Sequence, residues 1–133
     1  MPKFVVQKHY ASHLHYDFRL EMDGVLKSWA VPKGIPTKEG VKHLAVQVED
    51  HELSYADFEG VIPEGHYGAG KVEIWDKGNY ELESKKDWKI VFILHGKRLK
   101  GRYTILKFKK AGANQWLIFK AKEKSRKIKI ICI

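Results

Sequence analysis

The run His9-Tyr-Ala-Ser-His13-Leu-His15-Tyr-Asp17-Phe-Arg19-Leu-Glu21 decides how this chain is read. Side chains alternate faces along a β-strand. One face of this run carries His13, His15, Asp17, Arg19 and Glu21, and the other carries Leu14, Tyr16, Phe18 and Leu20. A polar row backed by an unbroken apolar row predicts a strand with one side on a core. From His15 to Arg19 the polar face gathers an imidazole, a carboxylate and a guanidinium within roughly 13 Å at the rise of a strand.

Working outward, the same period of two recurs in Leu44–His51, Lys71–Trp75, Lys89–Leu94, Tyr103–Lys109 and Trp116–Ala121. Turn residues separate these runs at Met22-Asp23-Gly24, Pro32 to Gly40, Asp76-Lys77-Gly78-Asn79, Gly96 to Gly101 and Ala111 to Asn114. No amphipathic helix of three turns is predicted. The fold class expected is all-β, a barrel or sandwich with short helical turns and loops, and residues 1–133 read as one domain. Two stretches depart from the rhythm. Phe58–Gly70 holds four glycines and one proline, a loop whose backbone can approach something closely. Lys120–Ile133 alternates lysine with isoleucine and is predicted to be a last strand closing the sheet.

Composition narrows the partners. Lys and Arg total 25 against 16 acidic residues, a net charge of +9 that suits a phosphate-rich polymer. No apolar stretch is long enough for a membrane span, and no secretory signal is read at Met-Pro-Lys, so no membrane partner is expected. The lone Cys132 excludes internal disulfides and a cysteine-rich zinc ribbon. An intracellular, cytoplasmic and nucleoid-associated setting is expected.

The polar row has a chemical rationale. Imidazole with carboxylate suits Mn²⁺, Fe²⁺ or Zn²⁺, and an adjacent arginine fork fits phosphate oxygens. Such charges also occur on solvated strand faces; the register of Asp17, Arg19 and Glu21 with His15 favours a site. A second row, Ala45, Gln47, Glu49 and His51, joins that cluster if its strand pairs nearby, and Tyr55 adds a phenolic donor. Lys33, at the end of Trp29-Ala-Val-Pro-Lys33-Gly, and His66, in the glycine loop, are weaker candidates. Trp29, Trp75, Trp88 and Trp116 are read as core or rim anchors rather than stacking platforms.

The motifs Phe4-Val-Val-Gln-Lys-His9, His15-Tyr-Asp-Phe-Arg-Leu-Glu21, Trp29-Ala-Val-Pro-Lys-Gly34, Val48-Glu-Asp-His51 and Tyr55-Ala-Asp-Phe-Glu-Gly-Val-Ile-Pro-Glu-Gly65, with Tyr67-Gly-Ala-Gly70, resemble the 3′-phosphoesterase domain of bacterial and archaeal DNA ligase D. The resemblance implies a single compact β-barrel with a Mn²⁺ site; Zn²⁺ or Co²⁺ are further metals to expect. It implies an enzyme that heals 3′ ends of DNA or RNA/DNA primer-templates, removing a terminal ribonucleoside and then the 3′-phosphate. Carried over by position, His9, His15 and Asp17 bind the metal, and Arg19, His51 and Tyr55 contact the reacting phosphate. Gln7, Glu21, Lys33 and Glu49 support the site, with His13 and His66 as further substrate contacts. A separate ligase, a polymerase or Ku are the partners implied.

The pattern departs at His13 and near His43, where the family commonly has arginine. A longer N-terminal arm and attached ligase or polymerase modules are expected to be missing, which favours the monoesterase step over the diesterase step. Two rivals stand beside this reading. A cupin-like metal enzyme on a small molecule would use His13, His15 and Glu21, although Pro63-Glu-Gly65-His66 lacks the second cupin spacing. A non-catalytic nucleic-acid-binding β-barrel module would need no metal at all.

Overall fold

A computed structural model describes residues 1–122. It contains nine strands: β1 (Lys3–Tyr10), β2 (Leu14–Met22), β3 (Val25–Val31), β4 (Lys42–His51), β5 (Gly60–Ile62), β6 (Gly70–Lys86), β7 (Lys89–His95), β8 (Lys100–Lys107) and β9 (Gln115–Lys120). The sheet order is β1-β2-β3-β4-β9-β8-β7-β6-β5, and β1 also pairs with β6. That pairing closes an antiparallel barrel of eight strands, with short β5 added along β6. Closure removes the sheet edges. The helical content among the described residues is two 3₁₀ turns, Leu53–Asp57 and Lys109–Ala111.

The apolar row of β2 does what its alternation predicts, but only in part. Phe18 and Leu20 are fully buried, and Phe18 stacks on Phe92 at 5.6 Å. Each such side chain contributes about 1.5–3 kcal/mol by leaving water. Tyr16 is half-buried, and Leu14 is 47% exposed on the rim of the barrel, so the row leaves the core before its end. Trp29 and Trp116 meet edge to face inside the barrel, whereas Trp75 lies at its rim and Trp88 is exposed.

A second, smaller apolar cluster lies outside the barrel wall. There Val5 and Leu26 meet Ala56 of the Leu53–Asp57 turn, with Tyr55 and Ile74 against them. This cap makes β1 and β3 bury side chains on both faces.

Two expectations are corrected, and a third lies outside what the structure describes. Asp76–Asn79 is not a turn, because β6 runs straight through it. Gly78 is there because a Cβ would collide with the His95 carbonyl, and Asp76 is buried to hold the Gly96–Leu99 turn. In β4 the core takes Ala45, while Leu44 is exposed and Val46 and Val48 half-buried on the other side. The predicted closing strand at Lys120–Ile133 falls, from residue 123 onward, outside the described residues.

Candidate metal centre

β1 and β2 pair in the register Gln7↔Asp17 and His9↔His15. Directly opposed residues share a face, so both histidines, Asp17 and Gln7 project together from the outside of the barrel. One donor atom each from His9, His15 and Asp17 lies within 4.8 Å of the others. His15 Nε2 is 3.2 Å from Asp17 Oδ1, and His9 Nδ1 is 3.5 Å from Oδ2. The cluster is largely screened from water: His9 and Asp17 are buried and His15 half-buried.

The outer nitrogen of each ring is committed elsewhere. His9 Nε2 donates to the Gly68 carbonyl at 2.7 Å, and His15 Nδ1 donates to the His13 carbonyl at 3.0 Å. Fixing the proton on the outer nitrogen leaves a lone pair on the inner one. Both lone pairs then face the Asp17 carboxylate, a donor set that fits a transition metal ion.

Arg19 sits one step along the same face and is almost wholly buried. Its Nε donates to Gln7 Oε1 at 2.6 Å and its Nη1 to Ser28 Oγ at 2.8 Å. Nη2 is 3.5 Å from Asp17, and the guanidinium lies 4.9 Å from the Tyr55 ring centre. Gln7 in turn donates to the carbonyls of Tyr55 and Phe58, tying the cap to the barrel wall. Burial opposes ionisation of Asp17, but the His15 hydrogen bond, Arg19 and His9 outweigh it and hold its pKa below the carboxylate norm. When the His15 ring is protonated, its Nε2–H donates to Asp17, and that hydrogen bond raises the pKa of His15 against desolvation.

His51 reaches this face by a route that alternation does not foresee. Leu26 pairs with His51 and Ser28 with Val48, so two residues of β4, Glu49 and Asp50, oppose the one residue Lys27 of β3. This β-bulge turns His51 onto the face of Val48 and away from the row of Ala45 and Gln47. Its Nδ1 lies 3.2 Å from Arg19 Nη1, and its ring is 4.7 Å from that of Tyr55. Burial first, and Arg19 second, lower its pKa, so the ring is neutral near pH 7. Burial raises the pKa of Tyr55, which keeps its hydroxyl as a donor.

Other predicted residues stand apart. Glu49 is exposed, and its backbone carbonyl, not its carboxylate, approaches His51, so the face it was expected to share with His51 does not exist. Glu21 accepts the backbone N–H of Lys3, and Lys33 is exposed beyond β3. His13 and His66 are exposed; His13 offers its carbonyl to His15 rather than its ring. The cupin-like set of His13, His15 and Glu21 is therefore not assembled. His43 donates to the Gly34 carbonyl, away from the cluster. Ser28 and the Gly68 carbonyl were missed; the glycine-rich loop signalled close backbone approach without saying to what.

Fold and site together define a β-barrel with a candidate transition-metal centre backed by a buried arginine. Residues 7–107 match the family described as the DNA ligase D 3′-phosphoesterase domain, and the chain belongs to that family. It is similar to the multifunctional non-homologous end joining protein LigD of Pseudomonas aeruginosa, 53% identical over 127 residues, 91% of this chain and 15% of that protein. LigD of Mycobacterium tuberculosis is 49% identical over 130 residues, 94% of this chain and 17% of its own length. The chain thus spans about a sixth of the length of these relatives.

Proposed function

We propose that the protein is a Mn²⁺-dependent 3′-phosphoesterase that leaves a ligatable 3′-hydroxyl on DNA or RNA/DNA primer-template ends. It removes a 3′-terminal ribonucleoside as a phosphodiesterase and a 3′-phosphate as a phosphomonoesterase. The observation that carries this reading is the convergence of His9, His15 and Asp17 donors within 4.8 Å, beside Arg19, in a chain of this family.

His9 Nδ1, His15 Nε2 and an Asp17 oxygen would hold the ion; Zn²⁺ or Co²⁺ fit the same donors. A bound divalent ion supplies Lewis acidity at a phosphate oxygen and lowers the pKa of its water. Arg19, its orientation fixed by Gln7 and Ser28, presents positive charge to the phosphate. His51, whose Nδ1 lies 3.2 Å from Arg19 Nη1 and 3.1 Å from the Glu49 carbonyl, would meet a phosphate oxygen through Nε2, and the Tyr55 hydroxyl is a second donor. Gln7 is a positioning residue. Glu21, Lys33, Glu49, His13 and His66 are left to contacts with the flanking nucleic acid. The protein acts in end joining inside the cell, with a separate ligase, a polymerase or Ku as partners.

The test is to incubate the protein and Mn²⁺ with labelled primer-templates ending in a 3′-ribonucleotide, a 3′-phosphate or a plain 3′-hydroxyl. The first two should be converted to trimmed 3′-hydroxyl ends, chelation should stop both conversions, and the third should persist. Failure to process either of the first two ends overturns the reading.

A further inference from the structure

The opposite face of the same strand ends carries a second feature. Lys8 and Tyr10 flank His9, and Tyr16 stands between His15 and Asp17, so alternation turns all three away from the metal centre. On that side they meet. Lys8 Nζ is 5.1 Å from the Tyr10 ring centre and 5.8 Å from that of Tyr16. Lys71 Nζ lies 5.8 Å from Tyr10, Tyr16 packs edge-on to Trp75 at 5.7 Å, and Arg98 covers Trp75 at 4.8 Å. Cations and rings form one connected row: Lys71, Tyr10, Lys8, Tyr16, Trp75, Arg98.

The row is built into the fold. Tyr16 and Trp75 are half-buried against the barrel core. Trp75 is the extra residue of a bulge, since Val6 pairs with Asp76 and Gln7 with Ile74. Arg98 lies in the turn between β7 and β8, which the buried Asp76 fixes by accepting the backbone N–H groups of Lys97 at 2.9 Å, Arg98 at 3.1 Å and Leu99 at 2.8 Å. Asp76 takes no part in the metal centre; it places Arg98 on the indole of its own neighbour. Glu73 sits at the Lys71 end of the row, accepting from the Tyr10 hydroxyl and 3.9 Å from Lys71.

We infer that this row binds single-stranded nucleic acid, taking the unpaired nucleotides next to an end held at the metal centre. The inference rests on the proposed function for the identity of the ligand. Aromatic rings accept any base face, and interleaved cations neutralise successive phosphates. An acidic peptide would use the cations and leave the rings idle. Ser12, His13 and Leu14, all exposed, form the rim over which a strand passes from one face to the other.

The test is fluorescence anisotropy of a labelled oligothymidylate with the full chain in the presence of chelator, so that no cleavage intervenes. Tyr10→Ala and Arg98→Ala should each weaken binding about tenfold. Replacing Lys8, Lys71 and Arg98 together by alanine should flatten the log–log salt slope by about 2, and Lys85→Ala, on the far half of β6, should change nothing. As a readout that needs no destabilising change, the oligonucleotide should quench tryptophan fluorescence, and the quench should be missing in Trp75→Phe. Wild-type affinity in the Tyr10 and Arg98 variants overturns the inference, as does equal competition by polyglutamate. Binding of this kind without end trimming supports the row and overturns only the phosphoesterase reading.

Discussion

Asp17 is the residue on which the site turns, since its two oxygens face His15, His9 and Arg19 at once. His15 is half-buried, its ring against Asp17, the His13 carbonyl and, at 4.8 Å, the ring of His9. His15→Ala should therefore abolish Mn²⁺ binding by calorimetry and both trimming steps, while Lys8→Ala leaves metal binding intact. Its effect on the metal-free fold has a definite pH dependence. Folding raises the pKa of His15 above 6.5, so its contribution is whole below that value and is lost as pH rises through the higher folded value. The metal-free melting temperature of His15→Ala should fall below wild type in acid and match it in alkali; a constant difference would sink this account. Mn²⁺ affinity should run the other way, weakening as protons compete for Nε2. His51→Ala and Tyr55→Phe should slow 3′-phosphate removal more than nucleoside removal, because a terminal monoester carries nearly two charges and leans on its donors. Equal losses in the two steps would assign these side chains to the metal or the fold. His15, Asp17 and Arg19 were legible because one undistorted strand carries them. Ser28 was not, because a buried serine is marked only by its partner.

Two irregularities in the strands decide what lies around that cluster. Alternation across Ala45, Gln47 and Glu49 puts His51 on their side, and only the extra residue opposite Lys27 reverses it. Deleting Asp50 removes the extra residue and leaves His51 two steps from Val48, still opposite Leu26 and on the same face, so this variant should keep Mn²⁺ binding and phosphate removal near wild type where His51→Ala loses the latter. Loss of phosphate removal by that variant would show that His51 needs the bulge itself, and not only its place opposite Leu26, to reach Arg19. Gly78 is the other case. Its sequence neighbours read as a turn, yet it is a mid-strand residue whose missing side chain lets the His95 backbone approach. Gly78→Ala should cost about 2–3 kcal/mol, near the upper end for one substitution, and lower the thermal midpoint by about 10 °C. β1 and β3 were invisible to a search for alternation for a related reason. Phe4, Val5 and Val6 are all buried, as are Ser28 and Trp29, because the barrel lies on one side and the Leu53–Asp57 cap on the other. Period two failed where the cap covers the sheet, and that is where the candidate site is built.

Taken whole, the molecule carries nine more cations than anions, and the surface pairing leaves that excess uncompensated. Asp23, Asp50, Asp57 and Glu83 are each matched to one lysine or arginine, so these pairs cancel locally. An excess of this size suits a phosphate-rich polymer. A polyanion bound by this excess must release condensed counterions, and the entropy of that release shrinks as salt rises. Binding to a primer-template should therefore weaken steeply with salt, with a log–log slope of about −5 if six phosphates are neutralised. Charge matters here through number and not through any one residue, so removing a single contacting lysine should lower the slope by only about 1. The proposed metal centre would make a different kind of contact, concentrated on one phosphate and shielded by burial, and its contribution should be far less sensitive to salt. Titrating Asp17→Asn beside the wild type over the same salt series separates the two: affinities should differ by a roughly constant factor while the slopes stay parallel. A slope near zero in both proteins would exclude the basic surface as a nucleic-acid contact and leave the excess charge without a role in binding.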